Sequence, residues 1–220
     1  MRKWKEFDAF YTNLLSEVYH EPDSVLTTEV TDKMLPGFLG LLSKNQKILD
    51  LGCGAGYAMR KMREYGYTNV EGLTLNEEDV KACESDGFKI HQLDFNFTGF
   101  KDEFDGIWMR HVLEHSPFPF YTIYQLNRML KLNGWLYVEM PQPSIERLKN
   151  SERNLEHWQN HYSIMGAPMY RSLFQRAGFK LHGLDEIFLN KLKQGNKTFN
   201  ETYDWYVLRK EKNIEIKNEK

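Results

Sequence analysis

The sequence predicts an α/β fold with a doubly wound, mostly parallel β-sheet, and three observations carry this prediction. Short apolar runs such as KILDL have the continuous hydrophobicity of strands that are buried on both faces. Segments with apolar residues at helical spacing, several of them closed by glycine, alternate with these runs. Two further strand-like runs lie close together near the end of the chain, which favours an antiparallel pair at one edge of the sheet.

Residues 1–45 are expected to form an N-terminal helical extension. Trp4, Phe7 and Tyr11 belong to an apolar set that recurs at helical spacing and gives one apolar face. A second helix is predicted from Thr27 towards Met34, because Pro36 and the glycine after it should break or restart a helix.

From residue 46 onwards, predicted strands and helices alternate. The predicted strands are KILDL, NVEGLTL, FKIHQL, FDGIWMR, WLYVEM, FKLHGLDEIFL and TYDWYVLRK. The predicted helices cover residues 57–65, 76–87, 118–134 and 169–178, and each is followed or closed by a glycine. We expect a single domain over residues 1–210, a possible active-site cap over residues 142–168, and a charged tail over residues 211–220.

Composition narrows the class of function. The chain has 220 residues, a formal net charge of -2 and 27% charged residues, so it lacks the basic field that general nucleic-acid binding requires. No apolar run reaches the length of a membrane helix, and the N-terminus does not have the pattern of a signal peptide. The two cysteines give no disulfide framework, which favours a reduced, cytoplasmic protein.

A glycine-rich turn follows the first predicted strand in ILDLGCGAGYAMR, residues 48–60. Glycine permits positive φ and lets a ligand approach the backbone, and ligands of open α/β sheets bind at the carboxyl ends of strands. A triphosphate-binding loop requires G-x-x-x-x-G-K-[ST], and the lysine and the hydroxyl are absent. The dinucleotide pattern G-x-G-x-x-G/A fails in both registers, because its third position falls on Tyr57 or Met59.

What remains is Gly52-x-Gly54-x-Gly56, with Asp50 in front of it. A carboxylate at this place suits an ammonium group better than a pyrophosphate. Among the common ligands of such loops, S-adenosylmethionine carries an α-ammonium and no phosphate.

Several spaced motifs resemble those of the class I S-adenosylmethionine-dependent methyltransferases of the small-molecule type, which have a Rossmann-like fold. ILDLGCGAG resembles their first motif, QLDFNF the motif after the third strand, and FDGIWMRHVLEH the fourth strand and its exit. RMLKLNGWLYVEMP is similar to their helix, turn and fifth strand, with Asn133 in place of a usual glycine, and FQRAGF resembles a later helix-to-strand segment.

The resemblance implies that the first loop holds the methionine part of the cofactor. Asp50 would bind the ammonium group, directly or through water, and Gly52, Gly54 and Gly56 would approach the methionine moiety. The alternatives are an acid that caps the next helix and a tight turn without a ligand.

The end of the second strand departs from the usual family pattern. An acid that accepts both ribose hydroxyls is common there, but this position is Thr74. Glu71 lies about 10 Å back along the strand and is a poor substitute. VEGLTLNEEDV resembles the cyclopropane-fatty-acid-synthase branch, which implies Asp79 as the ribose partner, with Thr74 and Leu75 lining the site. The alternative for Asp79 is a capping box with Asn76.

Two further strand ends complete the predicted cofactor site. Asp94 would accept from the adenine amino group, and the backbone N–H of Phe95 could donate to the ring. Arg110, at the exit of the fourth strand, would lie beside the reactive methyl.

The segment RHVLEH matches the metalloprotease pattern H-x-x-E-H through His111, Glu114 and His115. That pattern needs a helix, whereas this segment follows a strand, and Pro117 and Pro119 disfavour a long helix. We therefore expect no metal site. Within the family resemblance, His111 would lie with Arg110 beside the reactive methyl, and His115 would border the acceptor pocket. Each histidine could instead only support the loop.

His161 follows in HWQNHYS, within the predicted cap. His111, His115 and His161 are the candidates for a general base, since histidine titrates near neutral pH. We expect transfer of a methyl group from S-adenosylmethionine to a small-molecule or glycan-like acceptor, on oxygen or nitrogen, with S-adenosylhomocysteine as product. The alternatives are a non-catalytic S-adenosylmethionine-binding module, a cyclopropane-synthase-like lipid enzyme, and an enzyme that uses NAD or a nucleotide sugar.

Overall fold

The computed structural model describes residues 4–16, 24–143, 160–194 and 197–214. Its helices are α1 (Trp4–Leu15), α2 (Val25–Leu39), α3 (Tyr57–Glu64), α4 (Glu77–Ser85), α5 (Pro119–Met129) and α6 (Ala167–Arg176). Its strands are β1 (Ile48–Leu51), β2 (Val70–Thr74), β3 (Lys89–Gln92), β4 (Phe104–Arg110), β5 (Leu130–Pro141), β6 (Phe179–Gln194) and β7 (Lys197–Lys210).

The strands form one seven-stranded sheet in the order β3-β2-β1-β4-β5-β7-β6. Strands β1 to β5 are parallel to one another, and β7 pairs antiparallel with both β5 and β6. The predicted fold class is therefore confirmed, including the antiparallel pair at one edge. Strands β2 and β3 follow on one side of β1, whereas β4 and β5 lie on its other side. This reversal of the strand order forms a crevice between β1 and β4.

The core lies on both faces of the sheet. In β1, Leu49 and Leu51 belong to one buried cluster and Ile48 to the other, as strand alternation requires. One cluster packs against α5 and α6 through residues such as Leu126, and the second receives Phe38 of α2. Cys53 and Cys83 are both buried and free.

The predicted bounds of two helices are wrong. Helix α2 starts after Ser24, whose hydroxyl accepts from the Thr27 amide, and it continues through Pro36. Burial of Leu35 and Phe38 on its core face outweighs the lost backbone hydrogen bond. Helix α5 ends at Met129, because the residues after it already pair with β4 as the start of β5.

The predicted cap and tail are only partly described. Residues 144–159 of the cap and 215–220 of the tail lie outside the described residues. Where the tail is described, Ile214 packs against the core. Among the described residues, no helix has the length and hydrophobicity to cross a membrane.

Candidate active site

A pocket opens at the carboxyl ends of the parallel strands, over the crevice between β1 and β4. Its walls come from the loops after β1, β2, β3 and β4, together with α1 and the segment that starts at residue 160. The lining residues are Tyr11, Leu14, Leu15, Gly52, Gly54, Leu73, Thr74, Leu75, Asp79, Asp94, Phe95, His111, Val112, His115, Pro117, Asn160 and Tyr162.

The glycines of the first loop all have left-handed backbones. Gly52, Gly54 and Gly56 have φ values of 77°, 49° and 86°, a region that side chains rarely tolerate. A Cβ at Gly52 would lie 2.1 Å from Val112 Cγ2. Gly52 and Gly54 line the pocket, whereas Gly56 begins α3 as its N-cap. The loop thus presents backbone to the pocket with no side chain in between.

Asp50 lies beneath this loop in β1, between Gly72 of β2 and Trp108 of β4. The residue is only 3% exposed, and its Oδ2 has no hydrogen-bond partner among the described residues. Burial raises the pKa of Asp50 to about 7, although the nearby positive charge of Arg110 opposes that rise. A buried carboxylate in this state gains from a cationic partner.

The predicted ribose end of the pocket is assembled from β2 and α4. Thr74, Leu75 and Asp79 all line the pocket, and Asp79 is 3% exposed. Asn76 is the N-cap of α4 and accepts from the Asp79 amide at 3.2 Å, so the capping interpretation holds for the backbone of Asp79. Glu71 faces elsewhere and binds Lys47, Lys89 and His91.

The predicted adenine end lies at the loop after β3. Asp94 and Phe95 line the pocket, and Asp94 Oδ2 is buried without a hydrogen-bond partner among the described residues. Its other oxygen accepts from the Asn96 amide at 2.8 Å. Asn96 Nδ2 in turn donates to the Tyr11 hydroxyl at 2.9 Å, which ties α1 to this loop.

Arg110 does not have the contacts expected of a cofactor-binding residue. Its Nε and Nη2 donate to Glu139 Oε1 at 3.0 and 2.7 Å, and its Nη1 donates to α2 at the Thr27 carbonyl and the Thr31 hydroxyl. It is absent from the lining of the pocket in the described part of the chain. The guanidinium is occupied because the buried carboxylate of Glu139 requires a positive charge.

His111 lines the pocket with both ring nitrogens engaged. Nδ1 lies 3.2 Å from Glu114 Oε1, and Nε2 lies 3.3 Å from Glu139 Oε1. Carboxylates accept hydrogen bonds, so both nitrogens carry hydrogen and the ring is an imidazolium. Burial lowers the pKa of His111, but the two carboxylates outweigh it and raise that pKa to about 9. In this arrangement His111 has no lone pair with which to act as a base.

His115 and His161 form a second pair at the same end of the pocket. Their rings are 4.7 Å apart in an edge-to-face arrangement. His115 lines the pocket, and its Nδ1 donates to the Asn160 carbonyl at 3.0 Å, which leaves Nε2 as the nitrogen with a lone pair. His161 contacts His115 but is not among the residues that line this pocket.

Sequence reasoning missed the contribution of α1 to the site. Tyr11, Leu14 and Leu15 line the pocket, although their apolar spacing only predicted a helix with a packed face. Tyr11 also stacks on Phe118, which follows the exit of β4. An aromatic stripe does not reveal whether it meets a core or a pocket, so no signal in the sequence could have separated the two.

Comparisons with known proteins agree with this geometry. A family model of a methyltransferase domain matches residues 26–184. The 27-O-demethylrifamycin SV methyltransferase of Amycolatopsis mediterranei is 23% identical over 207 residues, which cover 83% of this chain and 75% of that protein. A tRNA U34 carboxymethyltransferase of Proteus mirabilis is 26% identical over 187 residues, and the matched part covers 80% of this chain but only 55% of that protein.

Solved structures show the same fold. A methyltransferase structure from Bacillus halodurans superposes with a TM-score of 0.68 at 16% identity, over 83% of this chain and 99% of that one. The family match spans well over half of the sequence and includes the glycine loop, the strand ends and the β4 exit described above. The chain therefore belongs to the class I S-adenosylmethionine-dependent methyltransferases.

Proposed function

We propose that the chain transfers the methyl group of S-adenosylmethionine to a hydroxyl or amino group of a small-molecule or carbohydrate-like acceptor. One observation carries the cofactor assignment. Two buried carboxylate oxygens, Asp50 Oδ2 and Asp94 Oδ2, lack partners in the described structure; Asp50 precedes the glycine loop, and Asp94 lines the pocket after β3. Unpaired buried carboxylates are costly, so these two oxygens indicate a ligand that carries hydrogen-bond donors and a positive charge.

The residues present fit this cofactor. Asp50 would pair with the ammonium group, Gly52 and Gly54 would lie against the methionine chain, and Asp94 would accept from the adenine amino group. Asp79, with Thr74 and Leu75 beside it, would meet the ribose. S-adenosylmethionine supplies an activated methyl group on a sulfonium, so the protein has to align the acceptor atom and exclude water.

The acceptor end is formed by groups of different charge. His111 supplies a fixed positive charge, while His115, which lines the pocket, keeps a lone pair on Nε2. Pro117 and Tyr162 complete an apolar and aromatic wall on this side. This combination suits a small, neutral or anionic acceptor with a hydroxyl group.

Calorimetry tests the cofactor assignment. The parent should bind S-adenosylhomocysteine and not NAD, and Asp94→Ala should weaken the binding. Asp185→Ala is the matched control, because Asp185 lies on the opposite edge strand β6 and should bind as the parent does. If the parent fails to bind S-adenosylhomocysteine, the proposal is wrong.

Transfer of labelled methyl groups tests the acceptor. A panel of phenols, hydroxylated macrolides and sugars should contain substrates, whereas tRNA and unsaturated fatty acyl lipids should not accept label. The tRNA arm is included because a relative bears that name, and the net charge of -2 gives no attraction to phosphate. Label in tRNA or lipid, with none in small molecules, would refute the proposed acceptor class. Binding of S-adenosylhomocysteine without methyl transfer to any acceptor would favour a non-catalytic binding module.

A further inference from the structure

A cluster of metal-ligating side chains lies at the acceptor end of the pocket. Glu114, His115 and His161 each offer one ligand atom, and the three atoms lie within 4.8 Å of one another. We propose that these three residues bind a divalent transition-metal ion, with a coordination position open to the acceptor. The catalytic role of this ion rests on the proposed function, whereas its binding to the three residues does not.

The backbone holds the three residues together although 45 positions separate His115 from Asn160. The Glu114 carbonyl accepts from the amides of Tyr162 and Ser163, at 2.7 and 3.0 Å. The Ser163 hydroxyl donates to the Leu113 carbonyl at 2.9 Å. The segment that carries His161 is thus fixed to the turn that carries Glu114 and His115, which is the preorganisation that a metal site needs.

The hydrogen bond from His115 Nδ1 to the Asn160 carbonyl sets the tautomer. A carbonyl only accepts, so Nδ1 carries the hydrogen and Nε2 is left with the lone pair that a metal ion requires. Metal-ligating histidines in proteins usually have this kind of outer partner, a backbone carbonyl or a carboxylate, on the second nitrogen.

Glu114 supplies a second, independent indication of a ligand. Its side chain is fully buried, and Oε2 has no hydrogen-bond partner among the described residues. Its other oxygen, Oε1, accepts from His111 Nδ1 at 3.2 Å. A buried carboxylate with one unused oxygen beside two imidazoles is costly unless a cation is bound there.

The donor set favours a borderline metal ion over magnesium or calcium. Two imidazole nitrogens and one carboxylate oxygen are the protein ligands of several catalytic zinc sites and of the facial triad of non-haem iron. Metal–nitrogen distances of about 2.0–2.1 Å require the three atoms to draw closer than 4.8 Å, so the side chains would move together when the ion binds. Zn²⁺, Co²⁺ or Fe²⁺ would fit.

The sequence pattern H-x-x-E-H is present, but the structure uses it differently from a metalloprotease. His111 has a left-handed backbone, with φ of 50°, and its ring pairs with Glu139 as well as Glu114. His161, far along the chain, takes the place that His111 would have in the protease pattern. This is why spacing alone did not predict the site.

The ion would act on the acceptor hydroxyl. Coordination makes the hydroxyl more acidic, so its proton leaves to solvent. The acceptor oxygen then bonds to the methyl carbon while the carbon–sulfur bond breaks and the sulfur keeps the electron pair. The products are the methyl ether and S-adenosylhomocysteine, and no oxidant or reductant is consumed.

Cobalt titration tests the site. The full chain, free of a histidine tag and treated with a chelator, is titrated with Co²⁺ while visible absorption is recorded, and with Zn²⁺ in a calorimeter. We expect one ion per chain, with binding weakened at least about tenfold in His161→Ala. The control is His182→Ala, since His182 packs on Trp135 of β5, away from the pocket. Should His161→Ala fail to fold in thermal melting, Glu114→Gln replaces it.

The outcomes separate this inference from the proposed function. The same samples are titrated with S-adenosylhomocysteine, which His161→Ala should still bind. If the parent binds that ligand but no Co²⁺, or if His161→Ala binds Co²⁺ as tightly as the parent, the metal site is refuted and the proposed function stands. Site-dependent Co²⁺ binding without S-adenosylhomocysteine binding would support the site and refute the function.

Discussion

Gly52 and Val112 are in direct van der Waals contact across the crevice of the sheet, so that a Cβ at Gly52 would lie 2.1 Å from Val112 Cγ2. Gly52 follows β1, and Val112 follows β4, so this contact joins the two loops that flank the switch in strand order. Both residues line the pocket. The close approach fixes the distance between the glycine loop after β1 and the histidines after β4.

Gly52→Ala should therefore destabilise the protein and reduce cofactor binding. The left-handed φ of 77° costs alanine about 1–2 kcal/mol, and overpacking against Val112 adds about 1–3 kcal/mol. Thermal melting measures the loss of stability, and calorimetry with S-adenosylhomocysteine measures the loss of cofactor binding. Gly37→Ala is the control, because its Cβ would meet nothing within 4 Å in α2, and alanine there should stabilise the helix by up to about 1 kcal/mol. Equal behaviour of the two variants would contradict the prediction.

Asp50→Asn should stabilise the protein in the absence of ligand at neutral pH. The pKa of Asp50 is raised to about 7 in the fold from an ordinary value of 3.8, so between these values the folded state holds a proton that the unfolded state has lost. The free energy of unfolding of the parent therefore falls as pH rises through this window, by up to about 4 kcal/mol. Asparagine does not ionise, so its advantage should be complete above pH 7 and vanish towards pH 4. Denaturant unfolding at several pH values measures this, and a constant difference would refute it.

Binding of the cofactor should have the opposite dependence on Asp50. An ammonium group favours the ionised carboxylate, so binding at about pH 6 has to release close to one proton from Asp50. Affinity for S-adenosylhomocysteine should rise as pH increases from about 6 to 8, and Asp50→Asn should bind weakly and without this rise. Calorimetry in buffers of different ionisation enthalpy counts the protons. No proton release at pH 6 would mean that Asp50 does not meet the ammonium group.

Arg110→Ala separates a structural role from a cofactor-binding role. Loss of the guanidinium leaves Glu139 buried without its main counter-charge. Burial alone would raise the pKa of Glu139, but the positive charge of Arg110, together with His111, outweighs this effect and lowers that pKa to about 2. Breaking such a buried pair costs about 3–5 kcal/mol. Thermal melting should therefore show a large loss, whereas Lys81→Ala, which breaks the exposed pair with Glu77, should leave the melting temperature nearly unchanged. Parental stability with lost cofactor affinity would restore the role expected from the sequence.

The strands and the glycine loop could be predicted because local signals determine them. Apolar runs such as ILDL and the left-handed glycines of the turn after it depend on residues that are close in sequence. Asp50 lies in β1, Asp94 follows β3 and Asp79 lies in the first turn of α4, so all three are near the carboxyl ends of parallel strands, which meet at one edge of the sheet. Propensity failed where packing decided, as in α2, which continues through Pro36 over a buried face.

The partners of charged groups could not be predicted, because they depend on contacts distant in sequence. Arg110 and His111 were expected to face the methyl group, yet both bind Glu139, which lies on the neighbouring strand in register with Arg110. His161 approaches His115 only because backbone hydrogen bonds to Glu114 bring its segment back to the turn after β4. Sequence spacing contains no information about these pairings.

Tyr11→Phe tests whether α1 is part of the cofactor site. The Tyr11 hydroxyl accepts from Asn96 Nδ2, and Asn96 is 1% exposed, with its Oδ1 bound by the Thr122 hydroxyl. Removal of the hydroxyl leaves a buried amide hydrogen unpaired, which costs about 1–3 kcal/mol and loosens α1 from the loop that carries Asp94.

We therefore expect Tyr11→Phe to weaken S-adenosylhomocysteine binding and to speed amide exchange in α1. In the parent, bound S-adenosylhomocysteine should slow that exchange, because Tyr11, Leu14 and Leu15 line the pocket. Phe10→Ala is the control, since Phe10 is 52% exposed on the same helix and is not a lining residue. If both variants bind as the parent does, and ligand leaves exchange in α1 unchanged, the helix only covers the core and the cofactor site ends at the strand loops.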